Sequence, residues 1–199
     1  MAGLCPRFPA GVIEDRGEEE IYQQDDGVRV LRKKATETIP HPHRHLLVDR
    51  ASWRRHYLPR LDPAYADRFP TDWDHRVRTW EESPGTSLIL LPGGSTYGWL
   101  RNWMGVEAVS AVLYDDPAWF EEMVSAIGDC VVGTLQRLLA TGLAFDACVL
   151  WEDMCFSGGP LLSPAHVKRF PAPSIPAYQP IVRCPWRGHS NGGFGRPGR

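Results

Sequence analysis

The sequence lacks three features that would assign a broad class of protein at once. No apolar run approaches the roughly 20 residues that cross a bilayer, and residues 1–6 lack the basic and apolar regions of a signal peptide. The five cysteines include no C-x-x-C pair, which argues against a disulfide framework and a zinc ribbon. These absences predict a cytoplasmic protein with reduced thiols and no membrane partner.

An excess of positive charge is also missing. The chain has 22 Lys and Arg against 24 Asp and Glu, a net charge of -2 over 199 residues. This balance gives the chain as a whole no electrostatic basis for binding nucleic acid. We therefore expect the partner to be a small molecule, and the oligomeric state stays open.

Acidic residues are absent from the C-terminal end of the chain. Asp153 is the last one, and residues 171–199 hold six prolines and five glycines. This change of composition predicts a disordered tail. Back-translation from Phe170 in the frame one nucleotide later permits a sequence that continues a helix and then forms an apolar strand, which favours a frameshift. The alternative is a basic RNA-binding tail that ends in the Arg/Gly-rich residues 194–199.

The central part of the chain has the pattern of a βαβ unit. Residues 87–91 and 145–151 are short apolar runs typical of buried strands. Between them, Asp116 and Pro117 have the pattern of a helix N-cap and first turn, and the apolar positions keep helical spacing as far as Gly142. Strand, helix and strand in this order predict a right-handed unit with parallel strands. The segments that follow both strands should then meet at one edge of the sheet.

Residues 1–80 are polar and weakly periodic, which predicts an edge segment of the same domain. Within it, residues 25–27 (Asp-Asp-Gly) separate two β-like runs and predict a hairpin. Three histidines then alternate along the chain: His41, His43 and His45. They could line one face of a strand as metal ligands. Pro40 and Pro42 disfavour a regular strand, so we expect a solvated loop that binds no metal.

The candidate site lies in the segments that follow the two predicted strands, GSTYGWLRNWMG (residues 94–105) and WEDMCFSGGPLLSP (residues 151–164). In β/α folds this edge of the sheet carries the active site. Arg101 lies between indoles, and its guanidinium suits carboxylate binding or cation–π stacking. Glu152 and Asp153 are adjacent, so an extended backbone points them apart. We expect Asp153 to face the cleft, where it could stabilise a cation or transfer a proton.

Several longer words in the sequence resemble the uroporphyrinogen decarboxylase-like family, in the branch that includes corrinoid-dependent methyltransferases. They are CPRF, ETIPH, DRASW, GWLRNWMGVE, YDDPAWFEEM and WEDMCFSGGPLLSP, within residues 4–170. The resemblance implies a (β/α)8 barrel with its active site at the carboxyl ends of the strands. This chain would then be a partial barrel, with an edge segment (residues 1–80), βα units (81–170) and an unrelated tail (171–199).

The resemblance further implies a carboxy-lyase that acts without a cofactor on a carboxylated tetrapyrrole or a similar small molecule. It places Arg101 and Asp153 near positions where these decarboxylases have substrate-contacting residues, a tyrosine and a serine. We predict Arg101 and Asp153 as catalytic, and four residues as substrate-binding: Tyr97, Trp99, Arg101 and Glu152. An alternative is methyl transfer from a corrinoid partner to a thiol, which would require zinc held by residues absent from this sequence. A non-enzymatic RNA-binding module is the second alternative.

Overall fold

The chain is a mixed α/β protein. The computed structural model describes residues 2–36, 39–82, 89–143, 145–152, 155–156 and 158–169. The frameshift and RNA-binding hypotheses concern residues 170–199, which lie outside the described residues, so both stay predictions.

The N-terminal part forms a four-stranded antiparallel sheet in the order β1-β2-β3-β4. Its strands are β1 (Gly11–Asp15), β2 (Glu19–Gln23), β3 (Arg29–Lys33) and β4 (His41–Arg44). The predicted hairpin is confirmed between β2 and β3. Its turn depends on the Asp26 side chain, which accepts a hydrogen bond of 2.9 Å from the backbone N–H of Val28. Gly27 in the same turn has a φ of +87°, where a side chain would be strained.

The expectation of a loop at the histidines is wrong, because β4 is a strand. Pro42 lies opposite Val30 of β3, where the register of the ladder shifts. Within the described residues β4 pairs with β3 alone, and a strand at the edge of a sheet can accept a residue that has no N–H to donate. The four residues of β4 are exposed.

Short helical turns lead from this sheet to the rest of the chain. They are α1 (Arg50–Ser52), a π-helical turn (Trp53–Tyr57), two 3₁₀ turns (Leu58–Arg60 and Ala66–Arg68) and α2 (Trp73–Glu82). Asp49 and Ser52 form a capping box at α1. Trp53 and Tyr57 are fully buried and belong to the hydrophobic core.

The predicted parallel pair is confirmed: β5 (Leu90–Gly94) and β6 (Ala147–Leu150) are hydrogen-bonded in parallel. Three helices connect them: α3 (Tyr97–Met104), α4 (Val106–Asp115) and α5 (Pro117–Leu139). Residues 94–105, expected to be a loop, therefore contain a helix. The buried side chains of Leu100, Trp103 and Met104 recur at helical spacing, and Gly105, with a φ of +88°, ends α3.

Helix α5 is the centre of the core, as its apolar pattern predicts. The Asp116 side chain caps its first turn by accepting a hydrogen bond from the Trp119 N–H, and Pro117 is the first helical residue. The predicted apolar positions are buried: Phe120, Met123, Val124, Ile127, Val131, Leu135 and Leu138. One face of this helix therefore packs fully against the other elements.

The last described elements are a two-stranded hairpin of β7 (Cys155–Phe156) and β8 (Gly159–Pro160), followed by α6 (Pro164–Arg169). Ser163 caps α6, since its Oγ accepts a hydrogen bond of 3.2 Å from the His166 N–H. Among the helices described, none has the length and apolar character that crossing a membrane requires.

The described residues do not form a closed barrel, so the expected (β/α)8 fragment is not confirmed. Closure of such a barrel requires eight parallel strands, and the described sheets contain one parallel pair. Leu90 and Val149 lie on one face of this pair and are each about half exposed. Parallel strands in proteins are normally covered on both faces, so this face is unusual.

Candidate functional site

The segments after β5 and β6 meet at one edge of the sheet, as the sequence predicts. The Trp151 N–H donates a hydrogen bond of 3.0 Å to the Gly94 carbonyl, which extends the pairing by one residue beyond β6. The next side chain, Glu152, reaches the start of α3. The carboxyl ends of the two strands thus bring residues 94–99 and 151–152 into contact.

Glu152, two residues after the end of β6, caps the N-terminus of α3. Its carboxylate accepts hydrogen bonds from the Thr96 N–H, from the Thr96 hydroxyl at 2.8 Å and from the Gly98 N–H at 3.1 Å. Thr96, at the N-cap position of α3, makes no side-chain capping bond itself. A carboxylate is favoured here because it satisfies free backbone N–H groups and meets the positive end of the helix. This geometry gives Glu152 a structural role, and its predicted contact with a substrate stays a prediction.

The glycines of the turn between β5 and α3 are required by packing. A Cβ on Gly93 would lie 2.8 Å from the Leu150 side chain, and one on Gly98 would lie 2.4 Å from Ser95 Oγ. Gly94 has a φ of +71°, and a Cβ there would lie 2.8 Å from the Trp99 ring. These glycines therefore allow side chains of this protein to pack against the backbone, and the anion-binding N–H groups beside them are used by Glu152.

Tyr97 and Arg101 lie four residues apart on α3, so their side chains are neighbours on one face of the helix. Tyr97 is buried, and its hydroxyl makes no hydrogen bond that meets standard geometry within the described residues. Burial raises the pKa of Tyr97, while the nearby Ser110 hydroxyl and the charge of Arg101 oppose that rise. The Ser110 hydroxyl donates its proton to the Val106 carbonyl at 2.7 Å and keeps its acceptor lone pairs. Tyr97 is therefore a protonated donor at neutral pH.

Three indoles form a continuous aromatic surface on the other side of α3, because Trp99 and Trp103 lie about half a helical turn from Tyr97 and Arg101. The rings of Trp99 and Trp103 are stacked, with centroids 6.0 Å apart and planes 13° apart. Trp151 meets Trp99 edge to face at 6.4 Å and remains 40% exposed. The Trp99–Trp103 stack shows that these indoles contact each other, whereas the sequence suggested that they hold Arg101. Arg101 is half-buried, and its Nη2 lies 3.4 Å from Asn102 Oδ1.

A second buried hydroxyl lies at the same edge. Ser95 is 1% exposed, and its Oγ has no hydrogen-bond partner within the described residues. It lies above Gly98, close to the Trp151 ring. Sequence reasoning missed Ser95 and Ser110, because a serine in a turn or helix carries no signal of its burial.

The structure places four of the predicted site residues at this edge of the sheet: Tyr97 and Arg101 share one face of α3, Trp99 lies on the opposite face, and Glu152 caps the helix. Asp153, the predicted catalytic carboxylate, lies outside the described residues, and its role stays a prediction. In the part of the chain that the structure describes, no three His, Cys, Asp or Glu side chains are grouped as metal ligands. His45 instead has its Nδ1 3.2 Å from the Trp103 carbonyl, which can only accept.

Comparisons with protein-family models, with curated proteins and with solved structures find no significant match to this chain.

Proposed function

We propose that this chain is part of a uroporphyrinogen decarboxylase-like enzyme, a carboxy-lyase whose site binds the carboxylate of a small molecule at the carboxyl ends of β5 and β6. The observation that carries the proposal is the Tyr97 hydroxyl, buried without a standard hydrogen bond one helical turn from Arg101. A buried donor beside a fixed positive charge suits an anionic ligand, because an unpaired buried hydroxyl costs about 1–3 kcal/mol until a partner arrives.

The chemistry of the site follows from these groups. The guanidinium of Arg101 can grip a carboxylate through two parallel hydrogen bonds, and Tyr97 can donate a further one. Contact of the ligand with Trp99 stays a prediction, because Trp99 lies about half a helical turn from Arg101 and packs against Trp151. Protonation of the substrate gives a transient cation, and loss of CO2 then returns the electron pair of the broken carbon–carbon bond to that cation. Asp153 is the proposed residue that stabilises the transient positive charge of the substrate.

A larger parallel sheet is part of this proposal. The exposed face of β5 and β6, with Leu90 and Val149, is explained if the two strands belong to a (β/α)8 barrel whose other strands are not among those described. The packing of α5 against β5 supports this, because it is the arrangement of a barrel strand and its outer helix.

The test is release of CO2 from a carboxylated tetrapyrrole, together with binding of that compound measured by quenching of tryptophan fluorescence. Arg101→Lys should weaken turnover or binding by 10-fold or more, about 1.4 kcal/mol, since an ammonium lacks the planar fork. Arg54→Lys is the matched control, because Arg54 is exposed on the π-helical turn. If the wild-type chain neither binds nor decarboxylates the compound, or if both variants behave alike, the proposal is wrong.

A further inference from the structure

A second polar site lies on the N-terminal sheet, away from β5 and β6. It is a groove of about 580 Å³ beside β2 and β3. The charged and polar residues that line it are Glu20, Arg32, Lys33, Lys34 and Thr36. Its volume lies within the range of small-molecule sites, roughly 300–1,000 Å³.

Arg32 is held rigidly in this groove. Its Nε donates a hydrogen bond of 2.6 Å to Glu20, whose residue is only 8% exposed. Its guanidinium carbon also lies 3.7 Å from the centroid of the Tyr22 ring, a close cation–π contact. Glu20 and Arg32 are opposite each other across β2 and β3, and the ladder therefore fixes the pair. A guanidinium fixed in this way loses little rotamer entropy when it binds a ligand.

The donors of Arg32 are only partly used. Glu20 occupies its Nε, and within the described residues neither Nη group makes a hydrogen bond. The Arg32 side chain is 39% exposed and lines the groove. Two parallel N–H groups in that arrangement match two oxygens of a carboxylate or a phosphate.

The charges around the fork favour an anion. Lys34 is balanced by Asp15, whose two carboxylate oxygens lie 2.6 and 2.7 Å from its Nζ. Lys33 is exposed and has no ion pair among the described side chains. Lys33 and Thr36 line the same groove as Arg32. Lys33 lies opposite Glu19 in the ladder without forming an ion pair. The residues that line the groove carry three positive charges, on Arg32, Lys33 and Lys34, against the one negative charge of Glu20, and this excess favours an anion.

We propose that this groove, formed around Arg32, binds a small oxyanion that carries two or more negative charges, either a phosphate ester or a polycarboxylate. The proposal is independent of the function assigned to Tyr97 and Arg101, since it rests on residues of a different sheet. Arg101→Lys should therefore leave binding at the groove unchanged.

The experiment is calorimetric titration of the 199-residue chain with inorganic phosphate and, separately, with citrate, at constant ionic strength set by potassium chloride. We expect one of the two anions to bind saturably at a single site. Tighter binding of phosphate indicates a phosphate ester as the ligand, and tighter binding of citrate indicates a polycarboxylate. Arg32→Ala should weaken it by 10-fold or more, and Lys33→Glu by a comparable factor. Arg54→Ala, which removes an exposed arginine elsewhere, should not weaken it.

Arg32→Ala also leaves Glu20 without its partner, so that variant could lose its fold. Lys33→Glu avoids this difficulty, because Lys33 is exposed and its side chain holds no described contact in place. Circular dichroism of each variant shows whether the fold is retained. The proposal is overturned if neither anion binds saturably to the folded chain, or if binding to folded Lys33→Glu equals that of the wild type.

Discussion

Glu152 Oε1 lies 2.8 Å from the hydroxyl of Thr96, and the same carboxylate accepts the backbone N–H groups of Thr96 and Gly98. The first residue after Trp151 is thereby tied to the first turn of α3. Both members of the parallel pair thus determine where Tyr97 and Arg101 lie. A change at Glu152 should therefore be felt in the stability of the edge on which the candidate site is built.

The first prediction concerns this contact. Glu152→Ala should lower the free energy of unfolding by about 1.5–3 kcal/mol, because it leaves donors at the helix start without a charged acceptor. Glu152→Gln should lose roughly half as much, since an amide has one acceptor oxygen. Urea denaturation measures both. Glu107→Ala, an exposed acidic residue in the first turn of α4, is the control and should change stability by less than about 0.5 kcal/mol. If Glu107→Ala lowers the free energy of unfolding as much as Glu152→Ala does, the contact between Glu152 and α3 does not cause the loss.

The second prediction separates backbone strain from steric overlap at the turn. Gly94, Gly17 and Gly142 have φ values of +71°, +83° and +81°, but only at Gly94 would a Cβ meet other atoms, with the Trp99 ring at 2.8 Å. All three alanine variants should lose about 1–2 kcal/mol from the unfavourable φ. Gly94→Ala should lose about 1–3 kcal/mol more through overpacking. Thermal denaturation of the three variants checks this, and three equal losses would show that Trp99 moves aside freely.

The third prediction concerns the two buried tyrosines. Tyr97→Phe removes a hydroxyl without a standard hydrogen bond, so the melting temperature should stay the same or rise, while binding of a carboxylated ligand weakens. Tyr57→Phe removes a hydroxyl that donates to the Asp26 carbonyl at 3.0 Å. It should lower stability by about 0.5–1.5 kcal/mol without affecting the ligand. If Tyr97→Phe destabilises the chain as much as Tyr57→Phe and leaves binding intact, Tyr97 is structural.

The fourth prediction is a pH dependence at the start of α5. Arg50 donates two hydrogen bonds to Asp116 and holds the pKa of that carboxyl below its ordinary value of 3.8. A carboxyl with a depressed pKa stabilises the fold above its ordinary pKa, and that contribution disappears as the pH falls through the lower folded value. Asp116→Asn keeps a capping oxygen but loses the charge. The variant should be less stable than the wild type at pH 7, and the difference should shrink as the pH falls below the ordinary carboxyl pKa of 3.8.

Urea titrations from pH 7 to pH 2 measure this difference. Asp115→Asn is the control, because it removes an exposed carboxylate of the same charge at the neighbouring position. If both variants differ from the wild type in the same way across the pH range, net charge and not the Arg50 contact causes the effect.

Local structural features could be predicted from the sequence. The Asp-Asp-Gly turn, the Asp116 cap and the apolar spacing of α5 depend on interactions between residues a few positions apart, and the structure confirms each. Parallel pairing of β5 and β6 was also predictable, because a helix between two apolar strands leaves few arrangements. The boundaries of the strands were harder to predict. Residues 92–94 were expected to end the first strand, whereas β5 begins at Leu90 and continues through Pro92 to Gly94.

Tertiary contacts decided the rest. Residues 97–104 are helical because Leu100, Trp103 and Met104 are buried against elements distant in sequence, and Pro42 is accepted in β4 because that strand lies at an edge. Whether Glu152 caps α3 or contacts a ligand also depended on where α3 begins relative to β6. Burial of Ser95 and Tyr97 hydroxyls is a property of packing and not of local pattern. The sequence by itself therefore determined α5, the hairpin of β2 and β3 and the parallel pairing of β5 with β6, whereas the tertiary structure decided which polar groups are left to bind a ligand.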